Sequence, residues 1–190
     1  DKRVGLDCSN GSASAIAKSV YDALGAKTYV INNEPDGTNI NTNCGSTHIE
    51  VLQQFVKEKK LDIAFAYDGD ADRLMAVDRN GNIVDGDKII AVLALLMKKK
   101  GHLKGNKVVT TVMSNMGLEN YLKENGIELL RANVGDRYVL EKMIASEAAI
   151  GGEQSGHIIL LEHATTGDGI LTSLKLVEAL RDEKKYIDEM

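Results

Sequence analysis

Ile63-Ala64-Phe65-Ala66-Tyr67-Asp68-Gly69-Asp70-Ala71-Asp72-Arg73 is the stretch on which the reading of this chain turns. Its first five residues form an unbroken apolar run of a length suited to a buried strand. Three carboxylates then recur at alternate positions, separated by Gly69 and Ala71, which are small enough for the backbone to fold tightly. Hard oxygen donors held that close repel one another unless a cation lies among them. An all-oxygen set suits Mg²⁺, Mn²⁺ or Ca²⁺ better than zinc or copper. A metal held by a few carboxylates with open positions suits the handling of a phosphate ester. Arg73 adds a fixed positive fork for phosphate or carboxylate. The bland alternative is a solvated acidic turn. An EF-hand is excluded, because Arg73 and Arg79 stand where that loop needs its Gly and its final Glu. A D-x-D-x-T/V phosphatase pattern fits poorly, because Asp72 and Arg73 stand where it needs an apolar residue or threonine.

Upstream of this stretch, strands alternate with helices. Val4-Gly5-Leu6 is a strand candidate. The polar stretch Cys8 to Ser12 leads into a helix from about Ala13 to Leu24, with Ile16, Val20, Ala23 and Leu24 on one face and Gly25 as its stop. A Gly/Ser turn before a helix can bind an anion. This one has no P-loop lysine, so a plain helix start is the simpler reading. Thr28 to Ile31 is the next strand, and Asn32 to Gly45 a long polar loop. Thr47 with Glu50 forms a capping box that opens a helix to Lys59, with Ile49, Leu52, Phe55 and Val56 inward. Downstream, Leu74 to Asp78 and Ile83-Val84 flank Asn80-Gly81, a hairpin signal. This alternation indicates a βαβ layered unit. A loop at the C-terminal end of a strand is where such sheets bind ligands.

The second half repeats the style. Asp85 or Asp87 can cap an apolar helix from Lys88 to Lys100, where Lys98 to Lys100 suit the negative end of its dipole and Gly101 stops it. Val108 to Met113 is a strand, Met116 to Glu124 a helix and Ile127 to Leu130 a strand. A loop at Asn133 to Arg137 precedes a helix with Val139, Leu140, Met143 and Ile144 inward. Ala148 to Ile150 and Ile158 to Leu161 are strands around a Gly-rich loop. Gly169 to Arg181 is a last helix with Asp168 as its cap. The expected fold is two consecutive α/β layered domains with mixed sheets, residues 1–85 and 86–190, joined without a flexible linker.

Composition narrows the class. With 43% hydrophobic residues in 190, the chain can fill one core or two small ones. A net charge of −5 argues against nucleic acid as a partner. No apolar run reaches the length of a membrane span, and no signal-peptide pattern opens the chain. Cys8 and Cys44 have no metal-ligand spacing, so reduced thiols in a cytoplasmic protein are expected. The start at Asp1, close to an apolar run, suggests a segment of something longer.

The second chemical stretch is Gly151-Gly152-Glu153-Gln154-Ser155-Gly156-His157. If the loop is extended, Glu153, Ser155 and His157 alternate onto one side. An acceptor, a hydroxyl and an imidazole together can bind sugar hydroxyls or move a proton. A lone His in a Gly-rich loop is more often structural. The Gly-x-Ser-x-Gly elbow of a hydrolase is absent.

Together, Asp68 to Arg73 and Gly152 to His157 resemble the α-D-phosphohexomutase superfamily, in family order and across the whole chain. Gln154, Val134 to Tyr138 and Thr166 to Ile170 look most like its phosphoglucosamine mutase branch; the phosphomannomutase/phosphoglucomutase branch usually has Met at the place of Gln154. The resemblance implies four domains around one active site. It implies a phosphoserine that exchanges its phosphoryl group with a hexosamine phosphate through a bisphosphate, in amino-sugar and cell-wall precursor metabolism. It implies Mg²⁺ on Asp68, Asp70 and Asp72, and Arg73 stabilising charge at the transferring group. It places Glu153 and Ser155 on sugar hydroxyls, His157 beside them as a proton-handling group, and Asp136 and Arg137 in an active-site loop. The nucleophile motif Ser-Ala-Ser-His-Asn-Pro and the Arg-x-Ser-Gly-Thr phosphate loop do not occur in the sequence. The expectation is therefore the second and third domains alone, with the first and fourth missing as partners and no turnover by the segment itself. The rival from another class is a non-catalytic divalent-cation module.

Overall fold

A computed structural model describes residues 2–45, 48–114, 116–163 and 165–190. It divides into two compact units. One comprises Asp1–Val84 together with Gly169–Met190, and the other Asp85–Asp168.

The first unit is built on a five-stranded mixed sheet in the order β2-β1-β3-β4-β5. Its strands are β1 (Arg3–Asp7), β2 (Lys27–Ile31), β3 (Ile63–Tyr67), β4 (Leu74–Asp78) and β5 (Ile83–Val84). β1 runs parallel to β2 and to β3; β4 is antiparallel to β3 and to β5. All five residues of β3 are buried, as an unbroken apolar run predicts for a strand covered on both faces. On one face, α2 (Ile49–Lys59) sets Leu52 and Val56 against Ala64, Ala66 and Val77. On the other lie α1 (Ala17–Ala23), whose Tyr21 ring stacks at 6.2 Å on Phe65, and the last long helix of the chain, Gly169–Glu183. The Asn80-Gly81 hairpin is present, with the Asp78 carboxylate accepting from the amides of Asn80 and Asn82 at 2.9 Å. The expected capping box of Thr47 lies outside the described residues.

The second unit has a four-stranded mixed sheet in the order β7-β6-β8-β9. Its strands are β6 (Lys107–Thr111), β7 (Glu128–Ala132), β8 (Ile150–Gly152) and β9 (Ile158–Leu160), and only the β8–β9 pair is antiparallel. Its helices are α3 (Gly86–Lys99), α4 (Met116–Glu124) and α5 (Asp136–Ser146). Asp85 caps α3, accepting from the Lys88 amide at 3.0 Å. Val139 and Met143 of α5 fill a core with Val109, Ala148 and Ile159.

Three details differ from the sequence reading. The final helix, α6 (Gly169–Glu183), was expected in the domain 86–190; its buried Thr172, Ser173, Leu176 and Leu180 belong to the first unit. That unit has a second sheet face to cover, and α6 packs there on β3 and β4. The expected helix from Ala13 starts as a 3₁₀ turn at Ser12–Ala15 and buries Ala17 and Tyr21, while Ile16 and Leu24 are exposed. The Tyr21 hydroxyl, donating to Ser173 Oγ at 2.7 Å, shows what holds that register. In α5, Ile144 faces solvent although its spacing suggested an inward position.

Candidate functional site

Each unit carries one of the two chemical loops in the same place. The first joins β3 to β4 and the second joins β8 to β9, so each follows the third strand of a parallel set and returns antiparallel.

In the first loop the turn closes through the Ala71 amide, which donates to the Asp68 carbonyl at 3.0 Å. Ala71 sits at φ 56°, in the left-handed region that non-glycine residues seldom adopt. Asp68 Oδ1 accepts from the amides of Asp72 and Arg73 at 3.0 and 3.1 Å. Burial pushes the Asp68 carboxyl up to about 6, and the Asp72 carboxyl within hydrogen-bond reach adds to the rise. The turn thus brings Asp68 and Asp72 together, whereas Asp70 and Arg73 are exposed. Among the described residues, no three His, Cys, Asp or Glu side chains are gathered as a metal-holding group. The donor chemistry nonetheless suits a hard divalent cation. The loop offers carboxylate oxygens alone, and two of them destabilise each other's charged form in a way a cation between them would relieve.

The loop is braced from below. The Ser12 amide donates to the Gly69 carbonyl at 2.9 Å, and Ser9 Oγ donates to the Tyr67 carbonyl. The Ser12 amide is therefore occupied in holding the loop. Asp7, wholly buried at the end of β1, accepts from the amides of Ser9 and Gly45 and from Asn32 Nδ2.

In the second unit the loop is not extended. It is a tight hairpin turn in which the Glu153 amide donates to the His157 carbonyl at 2.9 Å and the Gly156 amide to the Glu153 carbonyl at 3.0 Å. Glu153 and His157 therefore oppose each other at the base of the turn, and Ser155 is exposed at its tip. Alternation fails here because Gly156, at φ 100°, reverses the chain.

Asp136 joins this pair from the first turn of α5. His157 Nε2 lies 3.4 Å from Asp136 Oδ2, and Glu153 Oε1 accepts from the Gly135 amide at 3.1 Å. Burial raises the Glu153 carboxyl above its ordinary range, and neighbouring Asp136 raises it further. The imidazole is buried, and its Nδ1 has no hydrogen-bond partner among the described residues. Arg137 points elsewhere: its guanidinium pairs along the helix with Glu141 at 3.1 Å.

Asp85 and Gly86 are neighbours of the loop that spacing alone did not reveal. Gln154 Nε2 donates to Asp85 Oδ2 at 3.2 Å, and the Gly86 amide to the Gln154 carbonyl at 3.0 Å. The only local signal was the Asp-Gly-Asp helix start.

Known proteins match this chain along its length. Residues 1–81 match the family described as phosphoglucomutase/phosphomannomutase, alpha/beta/alpha domain II, and residues 85–190 match alpha/beta/alpha domain III. The chain belongs to the phosphoglucomutase/phosphomannomutase family. The phosphoglucosamine mutase of Fusobacterium nucleatum subsp. nucleatum is 63% identical over 190 residues, 100% of this chain and 42% of that protein. The phosphoglucosamine mutase of Caldicellulosiruptor saccharolyticus is 58% identical over 188 residues, 99% of this chain and 42% of that protein. The chain thus spans less than half the length of these relatives. A phosphoglucomutase/phosphomannomutase family protein from Burkholderia thailandensis superposes with a TM-score of 0.83 at 28% identity, over 94% of this chain and 40% of that one. The N-acetylphosphoglucosamine mutase of Aspergillus fumigatus, solved with GlcNAc-6P and magnesium, shares the fold. Its TM-score is 0.76 at 18% identity, over 100% of this chain and 48% of that one. The phosphoglucomutase/phosphomannomutase domain III match runs through α6, the helix that in this structure covers the sheet of the first unit. Among the described residues no helix is long and apolar enough to cross a membrane.

Proposed function

We propose that this chain is the central portion, domains II and III, of a phosphoglucosamine mutase that interconverts glucosamine 6-phosphate and glucosamine 1-phosphate. The observation that carries the reading is the 63% identity to such an enzyme across every residue of the chain. Identity at that level over two folded units with both chemical loops leaves little room for a module that only binds cations.

In this reading Asp68, Asp70 and Asp72 would hold Mg²⁺, which when bound would supply charge neutralisation at a phosphoryl group. Arg73 lends a fixed positive charge beside it. Glu153 accepts hydrogen bonds from sugar hydroxyls, and Ser155 reaches a hydroxyl from the tip of the turn. His157, aligned by Asp136, gives or takes a proton at the sugar. Asp136, at the start of α5, lies beside both Glu153 and His157, whereas Arg137 would reach the substrate only by leaving its pairing with Glu141. The phosphoserine donor and the clamp for the distal phosphate come from the parts of the enzyme that this chain does not span, so the segment alone binds without turning over.

The test is a chimera in which this segment replaces the corresponding 190 residues of the F. nucleatum relative. It should convert glucosamine 1-phosphate in preference to mannose 1-phosphate, given Mg²⁺ and a hexose bisphosphate, and Glu153→Ala should abolish that conversion. A preference for the neutral hexose phosphate would assign the chain to the phosphomannomutase/phosphoglucomutase side of the family. Activity indifferent to Glu153→Ala would remove the sugar-binding reading of the second loop.

A further inference from the structure

Both candidate loops are gripped in one way. In each, a backbone carbonyl receives the amide of the first residue of a helix that is distant in sequence. Gly169, opening α6, donates to the Ala71 carbonyl at 2.7 Å; Gly86, opening α3, donates to the Gln154 carbonyl at 3.0 Å. Both residues are glycine, and neither has a positive φ, so backbone conformation does not call for glycine at either place. Space does. A methyl group on Gly169 would stand 2.7 Å from the Arg73 carbonyl oxygen and 3.1 Å from that of Ala71. On Gly86 it would overlap the Glu153 carbonyl and stand 2.8 Å from the Gly156 nitrogen. These obstacles are backbone atoms, which cannot swing aside as the tip of a side chain can.

We propose that Gly169 and Gly86 are positioning residues, each fixing the loop of its own unit in the conformation that presents the candidate ligands and sugar-binding groups. The proposal rests on the reading of the two loops given above. Ala71 holds a backbone conformation that persists only when its surroundings impose it. The Gly169 amide on its carbonyl and the Asp68 carbonyl on its amide are two such constraints. With Ala71 so held, the amides of Asp72 and Arg73 reach Asp68 Oδ1 and orient that carboxylate. In the second unit, the Gly86 clamp holds the turn that sets Glu153 opposite His157. Each loop thus takes its position from a helix distant in sequence as well as from its own short sequence. Both clamps require a helix to approach closer than any residue with a Cβ permits.

The test compares Gly169→Ala, Gly86→Ala and Ser173→Ala in this chain, reading Mn²⁺ affinity by electron paramagnetic resonance and amide exchange by NMR. Gly169→Ala is expected to weaken Mn²⁺ binding about tenfold, the scale at which supporting partners of metal ligands act. It should speed exchange at Ala71, Asp72 and Arg73 while leaving Glu153 and Gly156 as they are. Gly86→Ala should do the reverse, with Mn²⁺ affinity unchanged. Ser173→Ala, which loosens α6 away from its first residue, should lower the melting temperature and keep Mn²⁺ affinity. An ester linkage at Gly169 deletes the N–H and adds no atom; it should weaken Mn²⁺ in the same direction, including where the alanine variant does not fold. Parental affinity in the Gly169 variants, or an equal loss in Ser173→Ala, overturns the proposal. If the parent chain binds no Mn²⁺ at millimolar concentration, the metal reading of the first loop fails instead. The crossed exchange pattern then decides the two glycines by itself.

Discussion

His157 Nε2 lies 3.4 Å from Asp136 Oδ2, linking the base of the β8–β9 hairpin to the first turn of α5. The same carboxylate neighbours Glu153, whose own carboxyl is raised by burial first and by Asp136 second, against the lowering effect of the Gly135 amide. Asp136→Asn removes the second of these causes and keeps the first. Glu153 should then titrate at lower pH than in the parent. A carbon-detected NMR titration of the Glu153 carboxyl measures this. An unchanged midpoint would mean that the two carboxyls do not sense each other.

Asp7 gives a pH dependence of defined sign. Burial raises its carboxyl above the ordinary range and outweighs the amides of Gly45 and Ser9 that stabilise its charge. A folded-state pKa above the unfolded one means that the folded chain favours the proton. The stability from this group is complete below the unfolded value of about 3.9 and is lost as pH rises through the folded one. Asp7→Asn has nothing to titrate there. The stability of the parent minus that of Asp7→Asn should fall as pH rises above about 4. Urea unfolding at several pH values reads the difference, and a rise would contradict the assignment.

Ser173 is the meeting point of two buried phenols. Tyr21 donates to its Oγ at 2.7 Å, and the Tyr67 hydroxyl lies 2.8 Å from the same atom. Ser173→Ala takes this partner from both, so a cost of about 1–3 kcal/mol is expected. Equilibrium unfolding measures it. A cost near zero would mean that α6 is held by its apolar contacts alone.

Met143 and Ile144 are adjacent on α5 and should respond in opposite ways. Met143 is fully buried among Val109, Val139 and Ile159, whereas Ile144 is 57% exposed. Met143→Ala should destabilise by about 2–5 kcal/mol. Ile144→Ala should stay within about 0.5 kcal/mol. Comparable losses at both positions would mean that α5 is rotated from the orientation described here.

The readable parts of this molecule were those governed by neighbours in sequence. The apolar run before Asp68 forms a fully buried strand, Asn80-Gly81 turns a hairpin, Asp85 caps α3, and the Gly-rich stretch before His157 joins two strands. Each depends on residues a few positions apart, where periodicity, turn chemistry and capping act. The site was half readable for the same reason. The residue types of both loops are visible in the chain, but the alternation argument placed Ser155 beside Glu153, and the turn at Gly156 separates them.

By itself, then, the sequence determined the order of strands and helices, the two loops and the family resemblance, because these are patterns of local spacing. Only the tertiary structure decided that α6 covers the first sheet, that Tyr21 rather than Ile16 turns inward, and that Asp136 meets His157. Nothing within Gly169–Glu183 states which sheet its apolar face will cover. That follows from the open face beside Phe65 and Tyr67, and from a glycine at the helix start small enough to reach the Ala71 carbonyl.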